Sequence, residues 1–507
     1  MVRPLPLLAL TVSLATLACW ALTPHAQADD RPNVLFILAD DQAPDTIGAY
    51  GNDVCDTPNL DRLAREGMLF RQAHHQGAWV GAVCLPSRTM IMTGRTVWHI
   101  PDPRAGRKPR PGRPPYVSPI DPANTVPDQP QFTMPALFNR AGFSTMRTCK
   151  RGNSYEAANA LFTVRHDQSN YGPGSENGSE WHGERVLDFL KEREASGASD
   201  PFLVFFGFTH PHDPRTGPPD LVAKYGADNE GPAAEPDPDA PALPRNWLPA
   251  HPFPHGHPEL RDEVAVQGVM EKRDPATVRN ETGRNYACIE NIDDEVGRVL
   301  AQLEEMGELD NTYIFYTADH GIAVGAHGLM GKQNLYEHSW RVPYLVRGPG
   351  IEPGLRSDAL IYLLDTLPTL CELAGIEIPE SVEGRSFAPV LLGESDTHRE
   401  HVYGVYAGGT RPGMRAIKKD NWKLIEYDVL DGAVRETQLF DLEQNPYEFL
   451  AEHHDPEVIA VTGHEPKRFQ RNLAGDPAHA EKRAEMEELL RTEMERLHDP
   501  FPLSPHP

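Results

Sequence analysis

Acidic residues follow two apolar segments of the sequence. Asp40 and Asp41 end the segment NVLFILADD, and Asp319 and His320 end the segment TYIFYTADH. Carboxylates that come close together repel one another and raise each other's pKa, and a bound divalent cation removes that repulsion. Because oxygen ligands favour calcium or magnesium, we predict a site for one of these ions. For Asp40 and Asp41 taken alone, the alternative that each acid merely caps a following helix stays open.

Four cationic or proton-transferring residues lie in unusual sequence surroundings. Lys332 lies in a glycine-rich loop soon after the second acidic pair, and glycines let the backbone approach a ligand closely. His212 follows the apolar segment PFLVFFGFT, although His210 is equally eligible from its chemistry. Together with a divalent cation, these groups predict a receptor for sulfate or phosphate that also stabilises charge on a leaving oxygen. The four residues are Arg88, Lys150, His212 and Lys332.

The amino terminus has the pattern of an export signal. A short basic start is followed by an apolar stretch and by Ala26-Gln27-Ala28, a small-residue cleavage site. We therefore predict a removed signal peptide over residues 1–28 and an exported protein, periplasmic or extracellular. A membrane anchor is the alternative, but Pro24 and His25 interrupt the apolar run. No later segment is apolar over the roughly 20 residues that a membrane helix needs, so we predict no stable membrane insertion.

The cysteines leave at least one thiol without a partner. Six occur, at positions 19, 55, 84, 149, 288 and 371, and removal of Cys19 with the signal peptide leaves an odd number. Cys84, in the segment GAVCLPSRTMIMTGR, has no evident partner. Cys149 is interpreted as a small buried hydrophobic residue rather than a disulfide partner.

The composition excludes one class of partner. Asp and Glu number 74 against 48 Lys and Arg, and the resulting net charge of -26 argues against nucleic acid binding. Any anion site must therefore be locally basic. Prolines number 49 and cluster in residues 101–130 and 232–258. Long proline-rich loops of this kind are either functional or disordered.

The segments around the candidate residues predict the fold. The apolar runs that begin at Val34, Pro201, Thr312 and Arg341 lack polar alternation, which is typical of strands buried on both faces of a parallel sheet. They alternate with amphipathic segments such as residues 285–307, a predicted helix. We therefore predict an α/β fold with a large, mostly parallel sheet between helices. Acids at the carboxyl ends of such strands lie where open α/β sheets bind ligands.

The pattern changes after about residue 385. Segments such as HVYGVYA and GMRAIKKDNWKLIEYDV indicate antiparallel strands with one solvated face, and residues 481–498 indicate a terminal helix. We predict a catalytic α/β domain over residues 29–385 and a smaller α+β domain over residues 386–507.

Six motifs, in this order along the chain, resemble those of the type I sulfatases of the alkaline phosphatase superfamily. They are NVLFILADDQ, CLPSRTMIMTGR, PFLVFFGFTHPHDP, TYIFYTADHG, HGLMGKQNLYEHSWRVPYLV and DTLPTL. The C-x-P-S-R-x-x-x-x-T-G-R signature is the most specific, because in this family it directs conversion of its cysteine to formylglycine. The resemblance implies an alkaline phosphatase-like fold and hydrolysis of sulfate monoesters. A phosphomonoester or phosphonate monoester hydrolase and a non-catalytic glycan-binding protein stay open as alternatives.

The resemblance also implies roles for the matching residues. Cys84 would become formylglycine, whose hydrate supplies one hydroxyl that attacks sulfur and a second that expels sulfate. Arg88 would hold the modified residue, and Lys332 would contact the sulfate. His212 would lie beside the leaving oxygen. Either His212 or Lys332, or both, would protonate the departing alcohol. The residues that resemble the calcium ligands are Asp40, Asp41, Asp319 and His320, with residue 84 also contacting the ion.

One motif departs from the family pattern. Lys150 matches the lysine of the family's G-K-W-H motif, but Gly152 stands where the histidine would be. In the family that histidine contacts the formylglycine hydroxyl. Its replacement would be Asn153 or a histidine from elsewhere, for which the candidates are His74, His75 and His99.

The remaining segments resemble those of carbohydrate-acting members. They are PHDPR, WLPAHPFPHGHPELRDE and LYEH. The resemblance implies a sulfated polysaccharide or oligosaccharide as substrate and a formylglycine-generating enzyme as maturation partner. The candidate sugar contacts, which could equally serve to fix loops, are His99, Asp213, Arg215 and His327.

Overall fold

The computed structural model describes most of the chain after the predicted signal peptide. The described residues are 1, 31–102, 104–105, 116–168, 172–230, 237–254, 273–408 and 411–504. The predicted signal peptide, residues 1–28, lies outside the described residues apart from Met1. Both proline-rich segments are described only in part.

Within these ranges the chain forms alternating strands and helices. The strands are β1 (Asn33–Ala39), β2 (Met68–His74), β3 (Gly77–Ala78), β4 (Ser144–Lys150), β5 (Val164–Gln168), β6 (Phe202–Gly207), β7 (Thr312–Ala318), β8 (Arg341–Arg347), β9 (Leu355–Ser357), β10 (Ile361–Tyr362), β11 (His401–Tyr406), β12 (Gly413–Lys419), β13 (Trp422–Val429) and β14 (Val434–Asp441). The helices are α1 (Pro58–Glu66), α2 (Cys84–Thr93), α3 (Met134–Arg140), α4 (Glu156–Asn159), α5 (Ser179–Ser196), α6 (Pro219–Lys224), α7 (Pro275–Glu305), α8 (Glu337–Trp340), α9 (Thr366–Leu373), α10 (Ala388–Leu391), α11 (Pro456–Thr462) and α12 (Ala480–Arg496). None of the described helices is long and apolar enough to cross a membrane.

A nine-stranded sheet, flanked by helices, confirms the predicted fold class. Its hydrogen-bonded order is β10-β2-β8-β7-β1-β6-β4-β5, with β9 paired to β2. The central strands β7, β1, β6 and β4 run parallel, and every residue of β1 is buried. Burial on both faces explains why the sequence of β1 shows no polar alternation. Strand β8 is antiparallel to β7, a direction that its apolar sequence alone does not reveal.

Helix α7 begins ten residues before the predicted helix, at Pro275 rather than residue 285. Asp274 caps it, because its carboxylate accepts a hydrogen bond from the amide of Thr277 at 2.9 Å. Proline is well suited to the first turn of a helix, where no intrahelical partner exists for its missing N–H. The Asp-Pro pair was therefore the sequence signal for this helix start.

The smaller sheet contains the strands predicted after residue 385. Its order is β14-β13-β12-β11-β3, and β11 to β14 are antiparallel, as the sequence pattern indicated. The sequence did not predict β3, which reaches this sheet from the first half of the chain. Gly77 is required there, because a Cβ at this position would lie 1.8 Å from the carbonyl oxygen of Val405. The predicted domain boundary at residue 385 stays a prediction.

A buried ionic cluster joins the smaller sheet to the start of α8. Lys418 Nζ lies 2.8 Å from Glu337 Oε2, and Lys423 Nζ lies 2.7 Å from Glu448 Oε1 and 3.1 Å from Glu337 Oε1. Buried charges require such partners, because desolvation without a partner is costly. Glu337 follows Lys332 by five residues, so the cluster anchors the loop that carries this candidate sulfate contact.

Candidate active site

The carboxyl ends of β1 and β7 bring the predicted acidic residues together. These strands are adjacent and parallel, so Asp40 and Asp319 emerge at the same edge of the sheet. Asp41 has a φ of 73°, which shows that the chain has already turned out of the strand at this residue. Its amide donates a hydrogen bond to Asp319 Oδ1 at 3.2 Å. The turn allows neighbouring carboxylates to converge, as the sequence argument required.

The donor atoms at this edge have the spacing of a metal site. The first group, within which the candidate ligand atoms lie no more than 4.8 Å apart, is Asp40, Asp41, Cys84 and His212. The second group, with the same limit, is Asp40, Cys84, Asp319 and His320. Calcium binds oxygen ligands at about 2.3–2.6 Å, so two ligands of one ion lie at most about 5 Å apart. The donor set, rich in carboxylates, therefore fits a hard divalent cation.

Two cations already contact the carboxylate of Asp40. Arg88 Nη2 lies 3.1 Å and Lys150 Nζ 2.8 Å from Asp40 Oδ2, and Arg88 Nε lies 2.8 Å from Asp319 Oδ2. Burial alone would raise the Asp40 pKa, but the charges of Arg88 and Lys150 hold it well below its usual value. The sequence argument had considered only repulsion between carboxylates. In the structure the surrounding cations keep the carboxylate ionised and able to bind a metal.

Cys84 begins helix α2 and faces the same cluster. Its Sγ lies 3.2 Å from His320 Nε2, 3.6 Å from Lys332 Nζ and 3.9 Å from Asp41 Oδ1. Lys332 Nζ also lies 2.6 Å from Asp41 Oδ2. Burial raises the pKa of the Cys84 thiol, so the unmodified side chain is a neutral thiol and a poor nucleophile. Arg88 follows one helical turn later on the same face of α2.

His212 is held by the carboxylate that follows it. Its Nδ1 lies 2.6 Å from Asp213 Oδ1 and 2.8 Å from the Asp213 carbonyl oxygen. Because both neighbours are acceptors, Nδ1 carries a hydrogen. Burial and Lys332 lower the pKa of His212, but the carboxylates of Asp41 and Asp40 outweigh them and raise it to about 10. Asp213 was predicted as a sugar contact or a residue that fixes a loop; the structure shows that it also orients His212, and its contact with a sugar stays a prediction.

Two other predicted sugar contacts make contacts that fix loops. Arg215 is fully buried and its Nη1 lies 3.0 Å from Glu281 Oε2 of helix α7. The ring of His327 stacks on Tyr336 with centroids 3.9 Å apart, and its Nε2 hydrogen-bonds the Glu448 carbonyl at 2.9 Å. Burial lowers the pKa of His327 to about 3, so this ring is neutral. These contacts favour the loop-fixing alternative for both residues.

None of the three histidines considered as replacements for the missing family histidine contacts Cys84. His99 hydrogen-bonds Glu383 Oε1 at 2.5 Å and His498 Nδ1 at 3.0 Å, which also favours a loop-fixing role over a sugar contact. The His74 Nδ1 hydrogen-bonds the carbonyl oxygen of residue 72 at 3.1 Å. The His75 ring bonds the amide of residue 77 at 2.8 Å and the carbonyl oxygen of residue 339 at 3.0 Å. Among the candidate residues, His212 and His320 are the histidines gathered around Cys84.

Cys149 has a contact that sequence reasoning missed. It is buried and makes no disulfide, which confirms its interpretation as a small buried hydrophobic residue. In addition, its Sγ accepts a hydrogen bond from Arg88 Nη1 at 3.2 Å. A Cβ on Gly207 would lie 2.4 Å from this sulfur, so the glycine makes room for it. The only signal in the sequence was the position of Cys149 beside Lys150.

The fold resembles that of a solved structure that binds D-glucosamine-2-N,6-O-disulfate as its substrate. The sulfatase family matches residues 32–376, and the family described as N-sulphoglucosamine sulphohydrolase, C-terminal, matches residues 325–491. Because the first match covers more than half of the chain, the protein belongs to the sulfatase family and is a sulfuric ester hydrolase.

A curated relative and two solved structures are similar to this chain. The N-acetylglucosamine-6-O-sulfatase of Bacteroides thetaiotaomicron is 25% identical, over 98% of this chain and 91% of that protein. The structure of BT4656 in complex with its substrate D-glucosamine-2-N,6-O-disulfate has a TM-score of 0.66 at 21% identity, covering 92% of this chain and 98% of that chain. The phosphonate monoester hydrolase SpPMH from Silicibacter pomeroyi has a TM-score of 0.62 at 21% identity, covering 92% of this chain and 96% of that chain. At these identities the two solved structures bear on the fold alone.

Proposed function

We propose that this sulfatase hydrolyses O-sulfate groups on a carbohydrate, either a polysaccharide or an oligosaccharide. The observation that carries the chemistry is the placement of Cys84 within 4 Å of Lys332, His320 and Asp41. The carbohydrate substrate is supported by the N-acetylglucosamine-6-O-sulfatase that aligns with 98% of this chain. The test is hydrolysis of defined sulfated mono- and oligosaccharides, and release of sulfate from none of them would refute the proposal.

Cys84 is proposed as the precursor of the nucleophile. When converted to formylglycine, this residue supplies a hydrated aldehyde with one hydroxyl for attack on sulfur and a second for expulsion of sulfate. The raised pKa of the buried thiol supports this role over direct attack by a thiolate. Arg88, whose guanidinium contacts Asp40, Asp319 and Cys149, has a fixed orientation one turn after residue 84 and would hold the modified side chain in place.

The carboxylate cluster is proposed to hold calcium, with magnesium as the alternative. The residues that would bind the ion are Asp40, Asp41, Asp319 and His320, together with residue 84. A bound divalent cation polarises the sulfate group and stabilises its charge. Lys332 and Lys150 lie against the same carboxylates and would supply further positive charge to the sulfate oxygens.

His212 is proposed to protonate the departing alcohol. Asp213 holds Nδ1 so that Nε2 is the nitrogen left to donate, and the carboxylate of Asp213 stabilises a protonated ring. Lys332 is the other candidate donor. A sugar alcohol is a poor leaving group, so proton donation matters more for a sugar sulfate than for an activated aryl sulfate.

A phosphomonoester or phosphonate monoester hydrolase is the second candidate, because the phosphonate monoester hydrolase from Silicibacter pomeroyi shares this fold. Paired assays of sulfate, phosphate and phosphonate esters on one preparation distinguish the two functions. A large preference for phosphorus esters would overturn the assignment of sulfate as the physiological group.

Maturation and location are proposed from the sequence. The Cys84-to-Arg95 signature would be read by a formylglycine-generating enzyme, and residues 1–28 would direct export to the periplasm or the medium. Conversion of the cysteine lowers the mass by about 18 Da, since hydrogen sulfide is lost and one oxygen is gained. Intact-mass measurement on secreted protein tests both points, and an unconverted protein with full activity would contradict the maturation step.

A further inference from the structure

A cleft of about 470 Å³ lies beside the hairpin that joins His320 to Lys332. This volume falls in the range of about 300–1,000 Å³ typical of small-molecule sites. The cleft is lined by the loop after β1, part of the second proline-rich segment, helix α7, the hairpin and residues 446–448. We call it the Asn285 cleft; the wall residues used below are Ala43, Arg245, Asn285, Ala323 and Tyr447.

The cleft and the active site share two chain segments. The hairpin is closed by hydrogen bonds from the Ala323 amide to the Gly331 carbonyl at 3.1 Å and from the Gly325 amide to the Leu329 carbonyl at 2.7 Å. Its first arm follows His320 and its second arm ends at Lys332, and both of these residues contact Cys84. On the opposite arm of the site, Ala43 lines the cleft two residues after Asp41. The same two chain segments therefore form the active site and the cleft.

Asn285 has a side-chain oxygen without a hydrogen-bond partner in the wall of the cleft. It is 2% exposed and lines the cleft, and its Oδ1 is buried without a hydrogen-bond partner among the described residues. An unsatisfied buried acceptor costs about 1–3 kcal/mol, and native structures retain few of them. A hydroxyl group entering the cleft would donate the missing hydrogen bond.

The other walls offer an aromatic surface without a surplus of positive charge. Tyr447 is 42% exposed, and the guanidinium carbon of Arg245 lies 5.4 Å from the centroid of its ring. An exposed aromatic ring packs well against the C–H face of a sugar, whereas amide groups bind its hydroxyls. The charged side chains and the histidine among the described wall residues are Asp45, Asp53, Arg245, Glu337, His338, Arg341 and Glu448. Glu337 and Glu448 are paired with Lys418 and Lys423. The remaining charges, Asp45 and Asp53 against Arg245 and Arg341, balance, so the cleft offers no surplus of positive charge to a second sulfate group.

We propose that the Asn285 cleft binds an uncharged sugar residue next to the sulfated one. The proposal rests on the carbohydrate sulfatase function proposed above and adds that the enzyme reads the glycan beyond the sulfated residue. Asn285 accepts a hydrogen bond from a sugar hydroxyl, and Tyr447 packs against the ring. The enzyme therefore prefers an oligosaccharide to the corresponding monosaccharide.

The test compares Asn285→Ala and Tyr447→Ala with the wild type on substrates of different size. The substrates are 4-nitrocatechol sulfate, N-acetylglucosamine 6-sulfate and tetrasaccharides prepared from keratan sulfate, in which uncharged galactose adjoins the 6-sulfated N-acetylglucosamine. Each variant is expected to lose about tenfold in kcat/KM on the tetrasaccharide that the wild type cleaves best, as expected for one lost hydrogen bond or ring contact. The rate on 4-nitrocatechol sulfate should be unchanged. Phe469→Ala, which removes an exposed ring outside the cleft, is the matched control.

The remaining outcomes contradict either the role of the cleft or the proposed function. Equal losses on the aryl sulfate and the tetrasaccharide, or no loss on either, would overturn the role of the cleft. A wild type that cleaves the aryl sulfate or the monosaccharide but none of the tetrasaccharides would overturn it as well. A wild type that releases sulfate from no substrate would instead refute the proposed function itself, and this inference with it.

Discussion

Replacing Asp213 by asparagine tests the proposed proton donor without touching any candidate metal ligand. The buried Asp213 carboxylate lies 2.6 Å from Nδ1 of the partly buried His212. A hydrogen bond between charged partners contributes about 1.5–3 kcal/mol. Asparagine can still accept the Nδ1 hydrogen but carries no charge. Each 1.36 kcal/mol changes a rate about tenfold, so removing the charge should lower kcat by up to about 150-fold.

The size of the effect should depend on the leaving group. A sugar alcohol needs the proton from His212, whereas the phenol of 4-nitrocatechol sulfate departs without one. We therefore expect Asp213→Asn to show the full loss on N-acetylglucosamine 6-sulfate, or whichever sugar sulfate the wild type cleaves best, and little loss on the aryl sulfate. Steady-state assays of both substrates on the same preparation give the comparison.

Two controls separate this role from damage to the fold. Asp310→Asn removes a carboxylate whose side chain is 94% exposed in its ion pair with Arg347, and it should leave both activities unchanged. The Tm of Asp213→Asn should stay within a few degrees of the wild type. Equal losses on the sugar and aryl substrates would refute the reasoning, because Asp213 would then act on the structure of the site rather than on proton transfer.

Three further predictions concern the nucleophile, the metal and the fold. Cys84→Ala should abolish turnover at an unchanged Tm, and near wild-type turnover would refute the mechanism. Dialysis against EDTA should abolish activity and added Ca²⁺ restore it, with Asp41→Asn needing more Ca²⁺; full activity after chelation would contradict the metal site. Asp365 is buried and paired with Arg399, whose charge outweighs the effect of burial and lowers the pKa of the carboxyl group. The ion pair therefore stabilises the fold above about pH 4, and this stabilisation is lost as the pH falls through the folded-state pKa of Asp365. Urea unfolding of Asp365→Asn should therefore show a loss of about 3–5 kcal/mol at pH 7 and a smaller loss at pH 3; equal losses would contradict the ion pair.

Strong local patterns in the sequence were enough to place the acidic edge of the sheet. The run from Val34 to Ala39 is apolar without interruption, a pattern typical of a strand that is buried on both faces of a sheet. Parallel strands place their carboxyl ends at the same edge of a sheet. Asp40 follows β1 and Asp319 follows β7, and in the structure these adjacent parallel strands bring the two acids to one edge. The long helix was recognised as well, although its start at Pro275 was missed.

Contacts between distant segments were out of reach of such patterns. Asp213 and Arg215 were candidates for sugar contacts or for fixing loops. The sequence did not indicate that Asp213 orients His212 or that Arg215 pairs with Glu281 of helix α7. The pairing of Gly77 with Val405 within the smaller sheet has no counterpart in local spacing either. In each case the partner is chosen by packing, which no short window of sequence encodes.

The sequence by itself determined the family resemblance, the candidate nucleophile at Cys84 and the acids that end β1 and β7. These features depend on residue types at short spacing and on strand burial, both of which are local. The tertiary structure decided which cations lie on which carboxylates, that Cys149 accepts a hydrogen bond from Arg88, and that Asn285 lines a cleft. Those outcomes follow from segments far apart in the chain that pack together, where the need to pair every buried polar group selects the neighbours.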